Sequence, residues 1–499
     1  MSMDYAIAVF DVGKTNKKLL VYDQQLQLIE TVSERFAAVQ QHGVSAEPVV
    51  EIERWLIRNL NRFAEQYPIR VISVATHGAA FVCVDRDGEP TVPALDYTHD
   101  PGDDFHDTFF EAFGSRIELQ QQTATAELKP LINPGKAIFY LQQKFPRDFA
   151  RTVSVLFFPG YFGFRLTGRK AADYTYPGCH TFLWDFARDS WSAVTDGLGI
   201  RTLLPERVGS PWEVLGTLKP EVIEATGLDP ATVVTLGIHD SNASLLPYLL
   251  KMREDFVLNS TGTWCVAMHP MEEVFFSEDE LGKTVFYNRS AFGAPIKTSI
   301  LMGGQEFEVY TRLLLDINNA GVYPQFNSEL YQRVIRDKSL FIFPSVVRGT
   351  GQFPDSEPRV YERGTVYPLQ DITSGRAVPD FFSDLPVAFA VLNLSLVIQT
   401  GVAFERIGHR PGTAIYTEGG FRNNLDYNTI LAAYRSEAPV YLSNLEEATS
   451  FGAAMVGRTA WEGIDVRDLA DTFEIHTQRV QPAAIEGLEE YARAFMQLL

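Results

Sequence analysis

The stretch AIAVFDVGKTNKKLLVYD, residues 6–23, decides the predicted fold. Its two apolar runs flank a short polar turn, a pattern that predicts a β-hairpin with a polar tip. Gly13 permits a tight turn in which successive backbone N–H groups converge on a single oxygen atom. The tip is therefore a candidate phosphate cradle, although short Gly/Thr turns also occur in ordinary surface hairpins.

Side chains of this turn favour the phosphate interpretation. Its hydroxyl and amide groups can donate hydrogen bonds, and its lysines can neutralise part of a phosphate charge. Asp11 lies at the end of the first strand, where a carboxylate could hold Mg²⁺ through water. The candidate phosphate ligands are Gly13, Lys14, Thr15, Asn16 and Lys17, with Lys18 as a further cation.

A second segment, FVLNSTGTWCVAM, repeats this design at residues 256–268. Two apolar runs again flank a turn of Gly, Thr and Ser, which predicts a second hairpin. Thr261, Gly262 and Thr263 are candidates for a second phosphate contact, and a simple polar turn is the alternative.

The repeated hairpin indicates two related halves. Strand patterns alternate with helical patterns such as residues 49–67, which predicts an α/β fold. The join is expected just before the second hairpin. We therefore expect an N-terminal domain of residues 1–245 and a C-terminal domain of residues 246–499.

Between the hairpins, the segment GIHDSNA at residues 237–243 precedes an apolar run. Asp240 is expected where a strand gives way to a helix. A carboxylate there could accept the proton of a substrate hydroxyl during phosphoryl transfer. Asp is also a frequent helix N-cap, and the two roles are compatible.

A later segment, YTEGGFRNN at residues 416–424, predicts a strand that runs into a helix near Leu425. Paired glycines there would let a nucleotide approach the backbone closely, whereas an ordinary strand-to-helix turn is the alternative. The candidate nucleotide-binding residues are Gly419, Gly420, Phe421 and Asn424.

Composition excludes several function classes. The net charge of -20 disfavours nucleic acid and anionic membranes as partners. Only three cysteines occur, far apart, which fits a reducing compartment without a cysteine metal site. The N-terminus has no signal-peptide pattern, and polar residues interrupt the apolar stretch 386–407. We expect a cytoplasmic protein whose partner is a small molecule, with a homodimer left open.

Taken together and in this order, these motifs resemble those of the FGGY family of carbohydrate kinases. The segment EEATSFGAAMVG, residues 446–457, is similar to the C-terminal helix of that family. The resemblance implies two actin-like (ribonuclease H-like) domains with an active-site cleft between them. It also implies ATP and Mg²⁺ as cofactors, a sugar as substrate, and Asp240 as the catalytic base.

Within the family, the segment PGYFGFRLTG, residues 159–168, is most similar to rhamnulokinase-type members. That similarity implies a ketose substrate such as L-rhamnulose or L-fuculose. Three positions depart from the family pattern, with Lys14 in place of Thr, Ala80 in place of a sugar-binding Asp, and Thr98 in place of Arg. Xylulose, ribulose or a polyol therefore remain alternative substrates.

Substrate contacts are expected from polar side chains near these departures, because sugars are recognised through many hydrogen bonds. The candidates are His77, Gly78, Asp96, His99 and Asp240, with Tyr97 or Phe81 as a stacking face. Two other classes remain open, an actin- or chaperone-like ATPase and a catalytically silent sugar sensor. Retention of Asp11 and Asp240 argues against the silent sensor.

Overall fold

The computed structural model of the protein describes residues 3–499 and contains a seven-stranded sheet in each half of the chain. The strands are β1 Ala6–Val12, β2 Asn16–Asp23, β3 Leu28–Arg35, β4 Val39–Gln41, β5 Val44–Ala46, β6 Ile69–Thr76, β7 Phe81–Val84, β8 Ser154–Phe157, β9 Ala172–Asp173, β10 Trp184–Asp185, β11 Ser190–Trp191, β12 Val208–Gly209, β13 Val214–Thr217, β14 Val233–Thr235, β15 Ile238–His239, β16 Phe256–Thr261, β17 Cys265–Pro270, β18 Phe286–Arg289, β19 Pro295–Leu301, β20 Leu340–Ile342, β21 Arg359–Glu362, β22 Thr365–Pro368, β23 Ala414–Gly419, β24 Val440–Ser443 and β25 Thr477–Arg479.

The helices connect and cover these strands. They are α1 Val49–Ala64, α2 Asp103–Phe113, α3 Arg116–Thr123, α4 Pro134–Lys144, α5 Pro146–Phe149, α6 Phe158–Thr167, α7 Ala193–Gly197, α8 Pro220–Thr226, α9 Asp240–Lys251, α10 Gly303–Ile317, α11 Ser328–Asp337, α12 Leu369–Thr373, α13 Leu385–Arg406, α14 Leu425–Tyr434, α15 Ala448–Glu462 and α16 Leu488–Leu498. Three short 3₁₀ helices cover Asp380–Ser383, Gly420–Asn423 and Val466–Thr472.

The first sheet is built around the predicted hairpin. Strand β1 pairs antiparallel with β2 and parallel with β6, in the order β13-β14-β6-β1-β2-β3, with β15 also pairing with β6. All residues of β1 are buried. Burial on both faces explains why the first apolar run is continuous rather than alternating.

The second sheet repeats this core arrangement. Strand β16 pairs antiparallel with β17 and parallel with β23, in the order β18-β19-β17-β16-β23-β24-β25. Each sheet therefore has a hairpin whose first strand also pairs with a parallel neighbour. The predicted α/β class and the two sheet-containing halves are confirmed.

Two helices pack together between the sheets. Helix α9 leads from the first sheet to the second, and α15 belongs to the second half but packs on β1 and β6. A Cβ atom at Gly452 of α15 would lie 1.9 Å from the carbonyl oxygen of Ala243 in α9. This approach requires glycine. The expected join between residues 245 and 246 falls inside α9, so the chain crosses between the halves as a helix.

The long apolar helix α13 belongs to the second core. Among residues 3–499 it is the one helix long and apolar enough to cross a membrane, yet 94% of its apolar window is buried inside the protein. Its polar groups are satisfied there, since Asn393 Nδ2 donates to Phe389 O at 2.9 Å and Gln399 Nε2 donates to Glu306 Oε2 at 2.8 Å. The prediction of a buried core helix is confirmed.

Residues 71–85 form a strand, a turn and a second strand, as their apolar pattern predicts. The two strands, β6 and β7, do not pair with each other. Strand β7 instead pairs antiparallel with β8, more than 70 residues later in the chain. The turn between β6 and β7 contains Ala79, whose φ angle is 73°. Residues of this turn line the site described next.

Candidate active site

A cavity of about 640 Å³ lies between the two halves of the chain. The first half contributes the end of β1, the turn after β6 and the start of α9. The second half contributes the tip of the β16–β17 hairpin, the end of β23 and the start of α15. Asp11, Asp240 and Thr263, expected from the sequence to act together, all line this single cavity.

Asp240 is the first residue of α9 and lines the cavity. Its Oδ1 atom accepts hydrogen bonds from Ser241 N at 2.6 Å and Ser241 Oγ at 3.2 Å, and it lies 3.3 Å from His239 Nε2. Burial raises the pKa of Asp240, which His77 and the Ser241 hydrogen bonds partly offset. A carboxylate with a raised pKa is a better proton acceptor, as general base catalysis requires.

Asp11 lies in a crowded acidic environment. Burial raises its pKa to about 7, with Lys18 lowering it and the charges of Asp240 and Glu447 raising it further. Repulsion among carboxylates in a confined space favours binding of a cation there. The residues present therefore fit Mg²⁺, because Asp11, Glu447 and Asp240 bring carboxylates to the same cavity.

The two candidate phosphate turns differ in which of their groups line the cavity. Thr261, Gly262 and Thr263 line the cavity. The Thr261 hydroxyl donates to Glu418 O and accepts from Phe421 N at 2.9 Å, so it ties β16 to β23 and is not free for phosphate. Backbone groups of the turn and the Thr263 side chain remain the candidates for phosphate contact in the second hairpin.

In the first hairpin, only Asp11, Lys14 and Lys18 line the cavity. Gly13 and Thr15 do not line it. Asn16 Oδ1 accepts from Arg35 Nε at 3.1 Å on the neighbouring strand. Gly13, Thr15 and Asn16 thus lie outside the cavity lining, and the phosphate contacts expected for them remain predictions.

Lys17 also departs from the expectation. Its side chain is fully buried, and Nζ donates to Glu47 Oε2 at 3.2 Å and to Lys14 O at 3.0 Å. Successive residues of a strand point to opposite faces, so Lys17 and Lys18 cannot both reach the cavity. Lys18 is the residue that reaches it, and its Nζ pairs with Glu447 at 2.6 Å across the two halves.

Lys14 connects the hairpin to the sugar-side residues rather than acting as a free phosphate cation. Its Nζ lies 2.7 Å from Glu47 Oε1 and 2.6 Å from Asp96 Oδ1, and 4.7 Å from the centre of the Tyr97 ring. Burial would raise the pKa of Asp96, but Lys14 and the Thr98 hydrogen bonds outweigh it and hold that pKa below its usual value. The lysine is thus neutralised by two carboxylates.

Of the expected sugar-side residues, His77, Gly78 and Asp240 line the cavity. Asp96 does not, because it is held by Lys14 and by the Thr98 N–H at 3.0 Å. His99 does not either, since its Nε2 atom lies 2.9 Å from the Tyr140 hydroxyl. Asp96 and His99 thus lie behind the cavity wall, and direct sugar contacts by either residue remain predictions.

The nucleotide motif is also divided. Gly419 and Gly420 line the cavity, and a Cβ at Gly419 would lie 2.0 Å from Thr261 O. Phe421 does not line it and packs on Phe307 and Tyr427. Asn424 does not line it either, because its side chain caps α14 by accepting from Tyr427 N at 3.0 Å. Phe421 and Asn424 support the site rather than form its wall.

Several residues of the cavity were not expected from the sequence. Trp264 Nε1 donates to the Tyr97 hydroxyl at 3.3 Å. This hydrogen bond links the two halves of the chain across the cavity. Burial raises the pKa of Glu418 to about 7. His239 could have been predicted, because it precedes Asp240 in the sequence. No motif marks His180. The unexpected lining residues include His180, His239, Trp264, Glu418 and Glu447.

Curated proteins are similar to parts of this chain. Rhamnulokinase from Halalkalibacterium halodurans is 24% identical over 267 residues, covering 52% of this chain and 55% of that protein. Rhamnulokinase from Enterococcus faecalis is 28% identical over 195 residues, covering 39% of this chain and 38% of that protein. The matches thus span about half the length of these curated relatives, or less.

Solved structures share the fold over almost the whole chain. A carbohydrate kinase from Novosphingobium aromaticivorans is 23% identical, with a TM-score of 0.77 and coverage of 100% of this chain and 99% of that one. A gluconate kinase from Lactobacillus acidophilus is 17% identical, with a TM-score of 0.80 and coverage of 99% and 96%. At these identities the likeness concerns the fold alone.

Family models cover both halves. The model described as the FGGY family of carbohydrate kinases, N-terminal domain, matches residues 6–247, and the one described as carbohydrate kinase FGGY, C-terminal domain, matches residues 253–464. Because the two matches follow each other along nearly the whole chain, the chain belongs to the FGGY family of carbohydrate kinases.

Proposed function

We propose that the protein is an ATP-dependent carbohydrate kinase that transfers the γ-phosphoryl group of MgATP to a hydroxyl group of a ketose such as L-rhamnulose or L-fuculose. The observation that carries this proposal is the single cavity lined by Asp11, Asp240 and the Thr261–Thr263 turn. Two hairpin tips from opposite halves face one space there, and a carboxylate with a raised pKa stands at the start of a helix.

The reaction is a direct in-line transfer. The acceptor oxygen forms a bond to the γ-phosphorus while the bond from that phosphorus to the β-γ bridging oxygen breaks, and ADP leaves. Asp240 takes the proton of the acceptor hydroxyl. When bound, Mg²⁺ would neutralise charge on the phosphate oxygens, and Asp11 is the residue placed to hold it.

Other residues position the reactants. Lys18 can turn from Glu447 to a phosphate oxygen, because its ammonium lines the same cavity. Backbone N–H groups around Gly262 supply fixed dipoles for the phosphates. The contact between Trp264 and Tyr97 closes the acceptor end against water, which would otherwise hydrolyse ATP.

Support for a ketose comes from the curated relatives, which are rhamnulokinases. Xylulose, ribulose and short polyols are the alternative acceptors, since a xylulose kinase from Lactobacillus acidophilus shares the fold with a TM-score of 0.79. A cytoplasmic location and a homodimer remain predictions. An actin- or chaperone-like ATPase is the rival function, and its ADP release would not depend on a sugar.

A coupled ADP-release screen against ketoses, polyols and aldoses tests the proposal, followed by location of the phosphate in the product. Asp240→Asn should bind ATP like the wild type and lose most turnover. Asp104→Asn is the matched control, because Asp104 also lies in the first turn of a helix but is exposed and outside the cavity. Sugar-independent ADP release, or near-normal turnover of Asp240→Asn, would contradict the proposal.

A further inference from the structure

The acceptor end of the cavity is lined by three imidazole rings, those of His77, His180 and His239. Burial lowers the pKa of His77 to about 4, that of His180 to about 3 and that of His239 to about 4. At neutral pH these rings are therefore uncharged. Neutral imidazoles offer one donor and one acceptor each, which suits hydroxyl groups.

Two of these rings point at the same small volume. A Cβ atom at Gly78 would lie 2.7 Å from His180 Nε2 and 2.9 Å from His239 Nε2. Both nitrogens thus lie close to one point beside the Gly78 backbone, where a side chain larger than that of glycine would push the rings away. Because the two nitrogens are this close to a common point, one oxygen atom that approaches them from the cavity can hydrogen-bond to both.

The surroundings of each ring indicate what it can offer. Asn242 Nδ2 lies 3.1 Å from His239 Nδ1, so the amide donates to that nitrogen and the proton of His239 is on Nε2, which faces the cavity. His180 is 9% exposed, and its Nδ1 atom has no hydrogen-bond partner among residues 3–499. Of the two ring nitrogens of His180, at least Nδ1 is therefore not used by these residues.

Charge in the cavity restricts the acceptor further. The cations that line it are Lys14, Lys18 and Arg422, and each is paired with a carboxylate, Lys14 with two. Asp240 lies 3.3 Å from His239 Nε2, so an anionic group beside the imidazoles would face a carboxylate. A sugar acid placed there would face that carboxylate, because Lys14 is paired with two carboxylates and Lys18 is engaged with Glu447 or with the phosphates.

We propose that His180 and His239 together bind one hydroxyl group of an uncharged acceptor, next to the hydroxyl that Asp240 deprotonates, and that this pair excludes sugar acids. The inference rests on the proposed kinase function and names the class of its acceptor. In this proposal His180 is a specificity-determining residue, although no sequence motif marks it.

Binding of the acceptor in the absence of ATP, measured by isothermal titration calorimetry, tests this independently of turnover. His180→Leu should weaken binding of the best ketose or polyol by about 10- to 100-fold, whereas ATP affinity stays within about twofold. His180→Gln should recover much of the loss, because its amide nitrogen occupies the place of Nε2. Cys179→Ser is the control, since its side chain donates to Tyr176 O at 2.9 Å and does not line the cavity.

A set of monodeoxy analogues of that acceptor identifies the hydroxyl group. The analogue that lacks it should bind weakly to the wild type and equally weakly to His180→Leu, so the two losses should not add. Matched pairs such as D-glucitol and D-gluconate test charge, and the acid should bind at least about tenfold more weakly.

Three outcomes would overturn the inference, namely unchanged acceptor binding by a folded His180→Leu, additive losses for every analogue, or equal binding of acid and polyol. Failure of the kinase proposal looks different. In that case an acceptor binds the wild type with the expected dependence on His180, but no ADP is released when ATP is added.

Discussion

Replacement of Gly78 by alanine tests the spacing of the His180 and His239 imidazoles and leaves every charged side chain of the site in place. Gly78 does not have a left-handed backbone, so alanine is compatible with its local conformation. The added Cβ would lie 2.7 Å from His180 Nε2 and 2.9 Å from His239 Nε2, closer than ordinary contact. The two rings must therefore move apart or the volume between them is lost.

The expected size of the effect follows from this geometry. Each ring must retreat by about half an ångström or more, and overpacking of this kind costs about 1–3 kcal/mol. Loss of the hydrogen bonds to one acceptor hydroxyl costs a further ~1–3 kcal/mol of binding free energy. We expect acceptor affinity to fall by about 10- to 100-fold or more, since 1.4 kcal/mol corresponds to a factor of about ten.

Calorimetric titration of Gly78→Ala with acceptor and, separately, with MgATP measures both ends of the cavity. Nucleotide affinity should be unchanged, because the substitution touches neither hairpin tip. Gly321→Ala is the matched control, as a Cβ there meets nothing within 4 Å. If Gly78→Ala binds acceptor as tightly as the wild type, the convergence of His180 and His239 on the acceptor is refuted.

Three further substitutions test other parts of the structure. Asp11→Asn should flatten the decline in stability of the nucleotide-free protein between pH 5 and 8, measured by urea denaturation. Burial raises the pKa of Asp11 to about 7, so the folded state binds more protons than the unfolded state there and stability falls as pH rises. Lys14→Met should cost about 1–3 kcal/mol at pH 7, because it leaves Asp96 without its cation, and the loss should shrink below pH 4 as that carboxylate becomes protonated in the variant. Gly452→Ala should lower the melting temperature strongly or prevent folding, because its Cβ would lie 1.9 Å from Ala243 O, and a normal melting temperature would contradict the packing of α15 on α9.

Features set by local sequence could be predicted well. The two hairpins, β1–β2 and β16–β17, follow from apolar runs around short polar turns, and the strand-to-helix junction at Asp240 follows from a polar break before an apolar run. Asp11, Asp240 and the Thr261–Thr263 turn lie at such junctions. Their meeting in one cavity was implied by the resemblance and agrees with the structure.

Roles decided by distant partners could not be predicted. The three lysines of the first hairpin look equivalent in the sequence, but Lys14 contacts Glu47 and Asp96, which are 33 and 82 residues away. His180 reaches the cavity only because its segment packs against the start of α9, and no periodic pattern marks that contact. Side-chain pairing across the fold, rather than the turn sequence, determines which residues are free to bind a ligand.

The two ends of the cavity differ in charge, and this difference suits two different ligands. Burial raises the pKa of Asp11 and of Glu418 to about 7, so the nucleotide end holds carboxylates that a cation would stabilise. At the acceptor end the imidazoles are neutral and the ammonium of Lys14 is already paired. The end with carboxylates thus suits a charged phosphate donor that binds with its cation, and the end with neutral imidazoles suits an uncharged acceptor. Only Asp240 belongs to both ends, since its charge raises the pKa of Asp11 and its carboxylate lies beside His239. Its substitution should therefore affect transfer itself, whereas a change at His180 should affect acceptor binding alone.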